Sequence, residues 1–278
     1  MKLRETFVWA LCVLVSACAT DPRLHANAIA RSADLRHEQI AAGPFLLTTY
    51  VRISDVSRPL TVYIEGDGLA WRTRNQPSDD PTPRRPVGLS LAAADRSANV
   101  VYLARPCQYI PLSASSSCDV AYWTGKRFAP EVVAAMNDLV THYMARTPGQ
   151  RVDLVGYSGG GAIAVLLAAR RQDVASLRTV AGNLDHDAVN RFHRVSLMPD
   201  SLNPADVVAN VANIPQIHFT GSDDTIVPPA ITRGFVTKVG ACAQDKVIEG
   251  LSHEGAWDVL WPRLLASQPR CVPEETSR

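Results

Sequence analysis

Apolar residues in this chain gather into short runs separated by polar stretches. Residues 60–64 and 100–103 are continuous apolar runs, the texture of strands buried on both faces. Residues 45–53 alternate between apolar and polar positions, and 152–155, 177–181, 214–220 and 246–249 read as further strands. Between them the spacing turns helical. In 130–144, Val132, Val133, Met136, Leu139, Val140 and Tyr143 share one side, with Pro130 near the start and Pro148-Gly149 just past the end. Helices are also expected over 89–94, 162–171, 235–239 and 257–265. Strands alternating with helices predict an α/β domain, a mostly parallel central sheet covered by helices on both faces. No repeat and no second core interrupts it, so one domain is expected over 39–268, followed by a short tail, 269–278.

Four segments break the alternation. Lys2 and Arg4 precede the apolar stretch 7–15, and Ser16 and Ala17 follow it, which reads as a secretory signal peptide over 1–17. The stretch is too short to cross a membrane as a stable helix. Val15-Ser16-Ala17-Cys18 resembles the bacterial lipobox. That resemblance implies a lipidated Cys18 and a membrane partner through an N-terminal lipid anchor. With Ala19 rather than Asp after it, the resemblance points to the outer membrane, on its periplasmic face. Residues 18–38 are polar and aperiodic and read as a lipidated tether. The loop 71–86 holds Pro77, Pro81, Pro83 and Pro86, and its length marks it as functional or disordered. Residues 182–210 are mixed in character and read as a small lid.

Composition narrows the classes. At 46% apolar and 20% charged residues the chain can bury a sizeable core. A net charge of +1 with no long basic run offers no footprint for nucleic acid. If Cys12 leaves with the leader and Cys18 is acylated, Cys107, Cys118, Cys242 and Cys271 remain for an oxidising compartment. Three pairings are open to them. Cys107–Cys118 and Cys242–Cys271 are favoured, because each closes a local excursion. No C-x-x-C or H-E-x-x-H occurs, so no metal site is predicted.

The chemistry centres on Gly156-Tyr157-Ser158-Gly159-Gly160, which fits G-x-S-x-G between a strand and a helix. That pattern presents a serine hydroxyl on a sharp turn above the sheet. Side chains at 156 or 160 would collide with the strand–helix crossing. A serine needs a base to take its proton, and the base needs an acid to orient it. Asp223 and Asp224 end the strand 214–220, at the edge where open α/β sheets place ligands. His253 lies in the loop after the last strand. The order is serine, acid, histidine. His218 reads as structural, and His142 as a partly exposed filler on its helix. His186 and His193 lie in the expected lid.

These residues together resemble the α/β-hydrolase family, over roughly 40–265. The resemblance implies the α/β-hydrolase fold and serine-hydrolase activity on an ester or thioester acyl bond through an acyl-serine intermediate. It implies a small-molecule or lipid acyl substrate and no cofactor. Ser158 would be the nucleophile and His253 the base. Gly221, Asp224, Val227 and Pro228 match the family's acid-bearing element, which favours Asp224 over Asp223, with Asp185 a more distant alternative. The oxyanion donors would be the N–H groups of Gly159 and Asp67, with Gly68 as the alternative to Asp67. The chain departs from the family pattern at Glu65, where a histidine is usual, and in placing the Asp67 carboxylate at the hole. Arg72, Arg74, Arg84 or Arg85 would then be needed to pair with it. Phe192, Val195, Leu197, Met198 and Leu202 are compatible with an acyl-chain pocket or with ordinary packing. A protein that keeps the fold as a binding or assembly module, without turnover, is the rival reading.

Overall fold

The computed structural model describes residues 21–272, so the expected leader and Cys18 lie outside the described residues. From residue 21 the chain forms α1 (Pro22–Ser32), β1 (Arg36–Ala42), β2 (Phe45–Ile53) and β3 (Leu60–Ile64). A hairpin of β4 (Trp71–Thr73) and β5 (Gln76–Pro77) follows, then α2 (Val87–Ala94) and β6 (Asn99–Leu103). Next come α3 (Pro130–Met144), β7 (Val152–Tyr157), α4 (Gly159–Ala168), β8 (Val174–Val180) and α5 (His186–His193). The chain ends through α6 (Val208–Val211), β9 (Gln216–Gly221), α7 (Pro229–Val239), β10 (Ala243–Ile248) and α8 (Trp257–Leu265).

Eight strands make one sheet in the order β1-β2-β6-β3-β7-β8-β9-β10. β1 pairs antiparallel with β2, and β2 with β6, while the remaining neighbours are parallel. Every residue of β3, β6 and β9 is buried, as strands in the middle of a sheet covered on both faces should be. One face packs against α3, α4, α6 and α7 through Val132, Met136, Leu139, Ile163, Val211 and Phe235. The other packs against α1, α2 and α8 through Ala26, Leu89, Tyr102, Phe219, Trp257 and Trp261. Each large apolar side chain so buried contributes roughly 1.5–3 kcal/mol.

The segment expected to be a tether is folded from residue 22 onward. Asp21 caps α1, accepting from the N–H of Arg23, and Pro22 starts the helix. The helix docks through Ala26 and Ala30, joined by Ala33 and Leu35. Alanines make a close contact without an apolar period, so the sequence pattern missed it. β1 is equally quiet: it is an edge strand, mostly exposed, held by its pairing with β2. The expected tail is also engaged. Cys271 bridges to Cys242, and the N–H of Val272 donates to the carbonyl of Ala241 (2.8 Å). The second bridge joins Cys107 to Cys118, so both favoured pairings form.

The strand order reverses beside β3. From β3 the chain passes to β6 on one side, whereas β7 lies on the other. The carboxyl ends of β3 and β7 therefore open a crevice between diverging connections, the position where such sheets place their sites. Ser158 follows β7, Glu65–Gly68 follow β3, Asp224 follows β9 and His253 follows β10.

Candidate active site

Ser158 sits between β7 and α4 with φ 49° and ψ −120°. This is strained backbone for a residue with a side chain, and such strain is held only where the surroundings fix it. The fixing bonds are clear. The N–H of Ser158 donates to Val180, and its carbonyl accepts from Gly161 (2.9 Å) and Asn183 (2.9 Å). Close packing of the turn depends on glycine. A Cβ at Gly156 would overlap the carbonyl of Gly160, and one at Gly160 would overlap the carbonyls of Ile64 and Glu65.

The structure brings three of the predicted side chains into one hydrogen-bonded line. His253 Nε2 lies 2.9 Å from Ser158 Oγ, and His253 Nδ1 lies 2.8 Å from Asp224 Oδ2. The other oxygen of Asp224 accepts from the N–H groups of Ile226 (2.9 Å) and Val227 (2.8 Å). Asp224 is buried, and these donors leave its Oδ2 free to hold the imidazole. Asp223 is turned elsewhere and accepts from the hydroxyl of its neighbour Ser222. Asp185 caps α5, accepting from the N–H of Ala188. His253 is anchored through its backbone: its carbonyl accepts from Trp257 Nε1 (2.9 Å) and from the Tyr157 hydroxyl (3.3 Å). Tyr157 and Trp257 were not singled out in the sequence.

Opposite the serine lies the loop after β3. Neither the N–H of Gly159 nor that of Asp67 donates to another group among the described residues. Glu65 is buried at the base of this loop. One oxygen accepts from Gly66 (2.9 Å) and Gly88 (3.0 Å), the other from Leu89 (3.2 Å) and the Tyr102 hydroxyl (3.0 Å). Burial pushes its carboxyl pKa up, and these donors oppose the shift. Glu65 thus ties the loop to the start of α2, where the helix dipole favours an anion.

The Asp67 carboxylate is paired, though not by the arginines of the proline-rich loop. Its partners are Arg105, with Nη1 3.3 Å from Oδ1, and Arg127, with Nε 3.3 Å from Oδ2. Arg72 instead meets Asp79, Arg85 meets Glu254, and Arg74 donates to the carbonyls of His193 and Arg194. Sequence spacing carried no sign of Arg105 or Arg127, because both reach the site from the irregular stretch between β6 and α3. Gln108 completes the brace. Its side-chain amide donates to the carbonyl of Gly66 (3.0 Å), and its oxygen accepts from the N–H of Arg105 (3.1 Å).

No family model matches the sequence, and no curated protein matches it. Solved structures do. An α/β serine hydrolase homologue from Coxiella burnetii superposes with TM-score 0.55 at 18% identity, over 82% of this chain and 93% of that one. Est1E from Butyrivibrio proteoclasticus gives TM-score 0.56 at 13% identity, over 83% and 98%. A membrane phospholipase A, a bacterial virulence factor, gives 0.58 at 14%, over 88% and 90%. The chain has the α/β-hydrolase fold.

In this α/β-hydrolase fold the cleft above Ser158 is open, with a volume of about 550 Å³. It is lined by Leu69, Ala70, Trp71, Pro83, Arg84 and Arg85 from the loop after β3, and by Ile226, His253 and Glu254 from the loops after β9 and β10. The segment 182–210 does not line this cleft. It stands beside it, with Phe192, Val195 and Leu197 exposed, while Met198 is buried in the core and Leu202 packs against it. Shaping the cleft falls to the proline-rich loop. His218 and His186 are buried and do not line this cleft. His218 bridges Thr179 (2.8 Å) and Gln216 (3.0 Å), and burial takes its pKa down to about 3. Among the described residues no cluster of His, Cys, Asp or Glu could hold a metal ion.

Proposed function

We propose that this chain is a serine hydrolase that cleaves an ester or thioester acyl bond through an acyl-serine intermediate at the cell envelope. The observation that carries the reading is the line Asp224–His253–Ser158, with spacings of 2.8 and 2.9 Å on a strained strand-to-helix turn. In this reading Ser158 Oγ attacks the carbonyl carbon as His253 Nε2 takes its proton. Asp224 holds the imidazole tautomer and stabilises the imidazolium. The N–H groups of Gly159 and Asp67 receive the oxyanion, at a site where one donor is typically worth about 2.7–4 kcal/mol. The intermediate collapses to acyl-Ser158, and the leaving alcohol or thiol departs with the proton from His253. Water, deprotonated by the same histidine, then releases the acid.

The serine hydrolase homologue and the phospholipase A among the structural neighbours support an acyl or lipid substrate. The envelope assignment rests on the leader 1–17, the lipobox-like Cys18 and the two disulfides, which suit an oxidising compartment. Among the described residues no helix is long and apolar enough to cross a membrane. Cys18→Ser should therefore shift the protein from the membrane to the aqueous fraction, and unchanged partitioning would refute the anchor.

A binding module without turnover is the second reading, and the Asp67 carboxylate beside Gly159 favours it. Its pairing with two arginines offsets the repulsion it would exert on an oxyanion, so the enzyme reading is preferred. Fluorophosphonate labelling of the full chain in detergent, with Ser158→Ala beside it, decides between them. Labelling is expected for the wild type and should vanish in the variant. A folded wild type that takes no label would sink the enzyme.

A further inference from the structure

Arginines gather around the cleft, and their placement points at the substrate. Two guanidinium groups, Arg105 and Arg127, meet one carboxylate, Asp67. The cluster is shielded from water, with side-chain exposures of 4% for Arg105, 14% for Arg127 and 19% for Asp67. Both guanidiniums lie over the Phe128 ring, 5.3 and 5.5 Å from its centroid, and Arg105 also donates to the carbonyl of Arg127. Burial pulls the pKa of Arg105 down to about 10, with Asp67 opposing the shift, so it stays cationic near neutral pH. Arg105 Nε is buried without a hydrogen-bond partner among the described residues, while Arg127 Nε faces Asp67 Oδ2. Asp67 is the acid that both arginines meet, and the Glu65 carboxyl is a further acid whose charge is felt by Arg105.

The other acids near Ser158 are already engaged. Glu65 is turned into three backbone N–H groups and the Tyr102 hydroxyl. Glu254 pairs with Arg85 at 3.5 Å, and Arg85 also donates to its carbonyl. Arg127 lines the cleft beside Ser158, and so does Arg84, which makes no ion pair among the described residues. Arginine is the side chain best suited to planar, forked recognition of a carboxylate or phosphate.

Resting on the hydrolase reading above, we infer that the substrate carries a carboxylate or phosphate close to its scissile acyl bond, received by Arg127 and Arg84. The same two arginines, lining the cleft with Ser158, would also favour the transient oxyanion.

The test compares matched esters on the full chain. One pair is the mono-4-nitrophenyl ester of glutarate against 4-nitrophenyl pentanoate, with a carboxylate on the acyl side. The other is 1-butyrylglycerol 3-phosphate against 1-butyrylglycerol, with a phosphate on the leaving side. In at least one pair kcat/KM for the anionic member should exceed that of the neutral one by about tenfold or more, the worth of one charge-assisted hydrogen bond. That ratio should fall as salt rises. It should also fall toward one in Arg84→Gln and in Arg127→Gln. Because the readout is a ratio, a general loss of activity in Arg127→Gln does not obscure it, and Arg84→Gln leaves the Asp67 pairing untouched. Ratios at or below one in both pairs, with the neutral esters turned over, would overturn the inference and leave the hydrolase standing. A ratio that survives in both variants would also overturn it. Absence of both turnover and fluorophosphonate labelling would remove the hydrolase reading and this inference with it.

Discussion

The carboxylate of Asp67 lies against the α-carbon of Gly159, in the space a side chain at position 159 would fill. The loop after β3 and the first residue of α4 are thereby pressed together, with two candidate oxyanion donors, the N–H groups of Asp67 and Gly159, on adjoining backbone. Gly159→Ala must push the carboxylate away and open that site. Loss of one such donor costs about 2.7–4 kcal/mol, so kcat should fall by roughly a hundredfold to a thousandfold. The check is kcat on a simple ester, with circular dichroism to show that the fold persists. Full activity in Gly159→Ala would show that the Asp67 carboxylate can yield without opening the site.

Asp224 and Asp223 are neighbours with opposite surroundings. Asp224 is buried, with one oxygen fixed by two N–H groups and the other 2.8 Å from His253. Asp223 touches the hydroxyl of Ser222 at the surface. Asp224→Asn keeps the shape but favours the wrong imidazole tautomer, and kcat should drop by about 10³–10⁴-fold. Asp223→Asn should change it by less than about threefold, as expected of a surface substitution. Steady-state kinetics on both variants settles the assignment, and the reverse order would move the acid.

The two disulfides should behave differently. They span 11 and 29 residues, so chain entropy assigns them about 2.8 and 3.6 kcal/mol of stability. Only the first stands next to the site: Cys107 precedes Gln108, whose amide holds the carbonyl of Gly66. The double variant Cys107→Ser/Cys118→Ser should lower both the thermal midpoint and kcat. Cys242→Ser/Cys271→Ser should lower the midpoint while kcat below the transition stays within about twofold. Equal kcat in the two double variants would show that Gln108 holds the loop without the bridge.

Much of this arrangement was legible in the sequence, because the relevant signals are local. Ser158 stands in a five-residue pattern between a strand and a helix, and Asp224 and His253 each follow a strand. The buried strands β3 and β6 are continuous apolar runs. What escaped depends on contacts between distant parts of the chain. α1 docks through alanines, whose small surface leaves no period, and β1 takes its structure from its partner. Arg105 and Arg127 lie in irregular chain, and only the tertiary fold carries them to Asp67. The arginines of the proline-rich loop were nearer in sequence, yet their side chains turn to Asp79, to Glu254 and to the carbonyls at the end of α5.

His218 gives the fold a pH dependence that is separate from the proposed chemistry. It is fully buried between Thr179 and Gln216, edge-on to Phe235, and desolvation holds its pKa at about 3 against 6.5 for the free side chain. The folded protein therefore keeps it neutral where the unfolded chain would bind a proton. A lowered histidine pKa contributes stability that is complete above pH 6.5 and is lost as pH falls toward 3. Within that window the unfolded state binds one more proton, so stability should decline by about 1.4 kcal/mol per pH unit from this group alone. The comparison that isolates it is wild type against His218→Gln, by urea unfolding at pH 4, 5, 6 and 7. The variant should start less stable at pH 7, having lost a fitted buried ring, and should then decline less steeply, so that the two curves converge on acidification. Parallel curves would mean that His218 is protonated in the folded state, and that its bonds to Thr179 and Gln216 form around a cation.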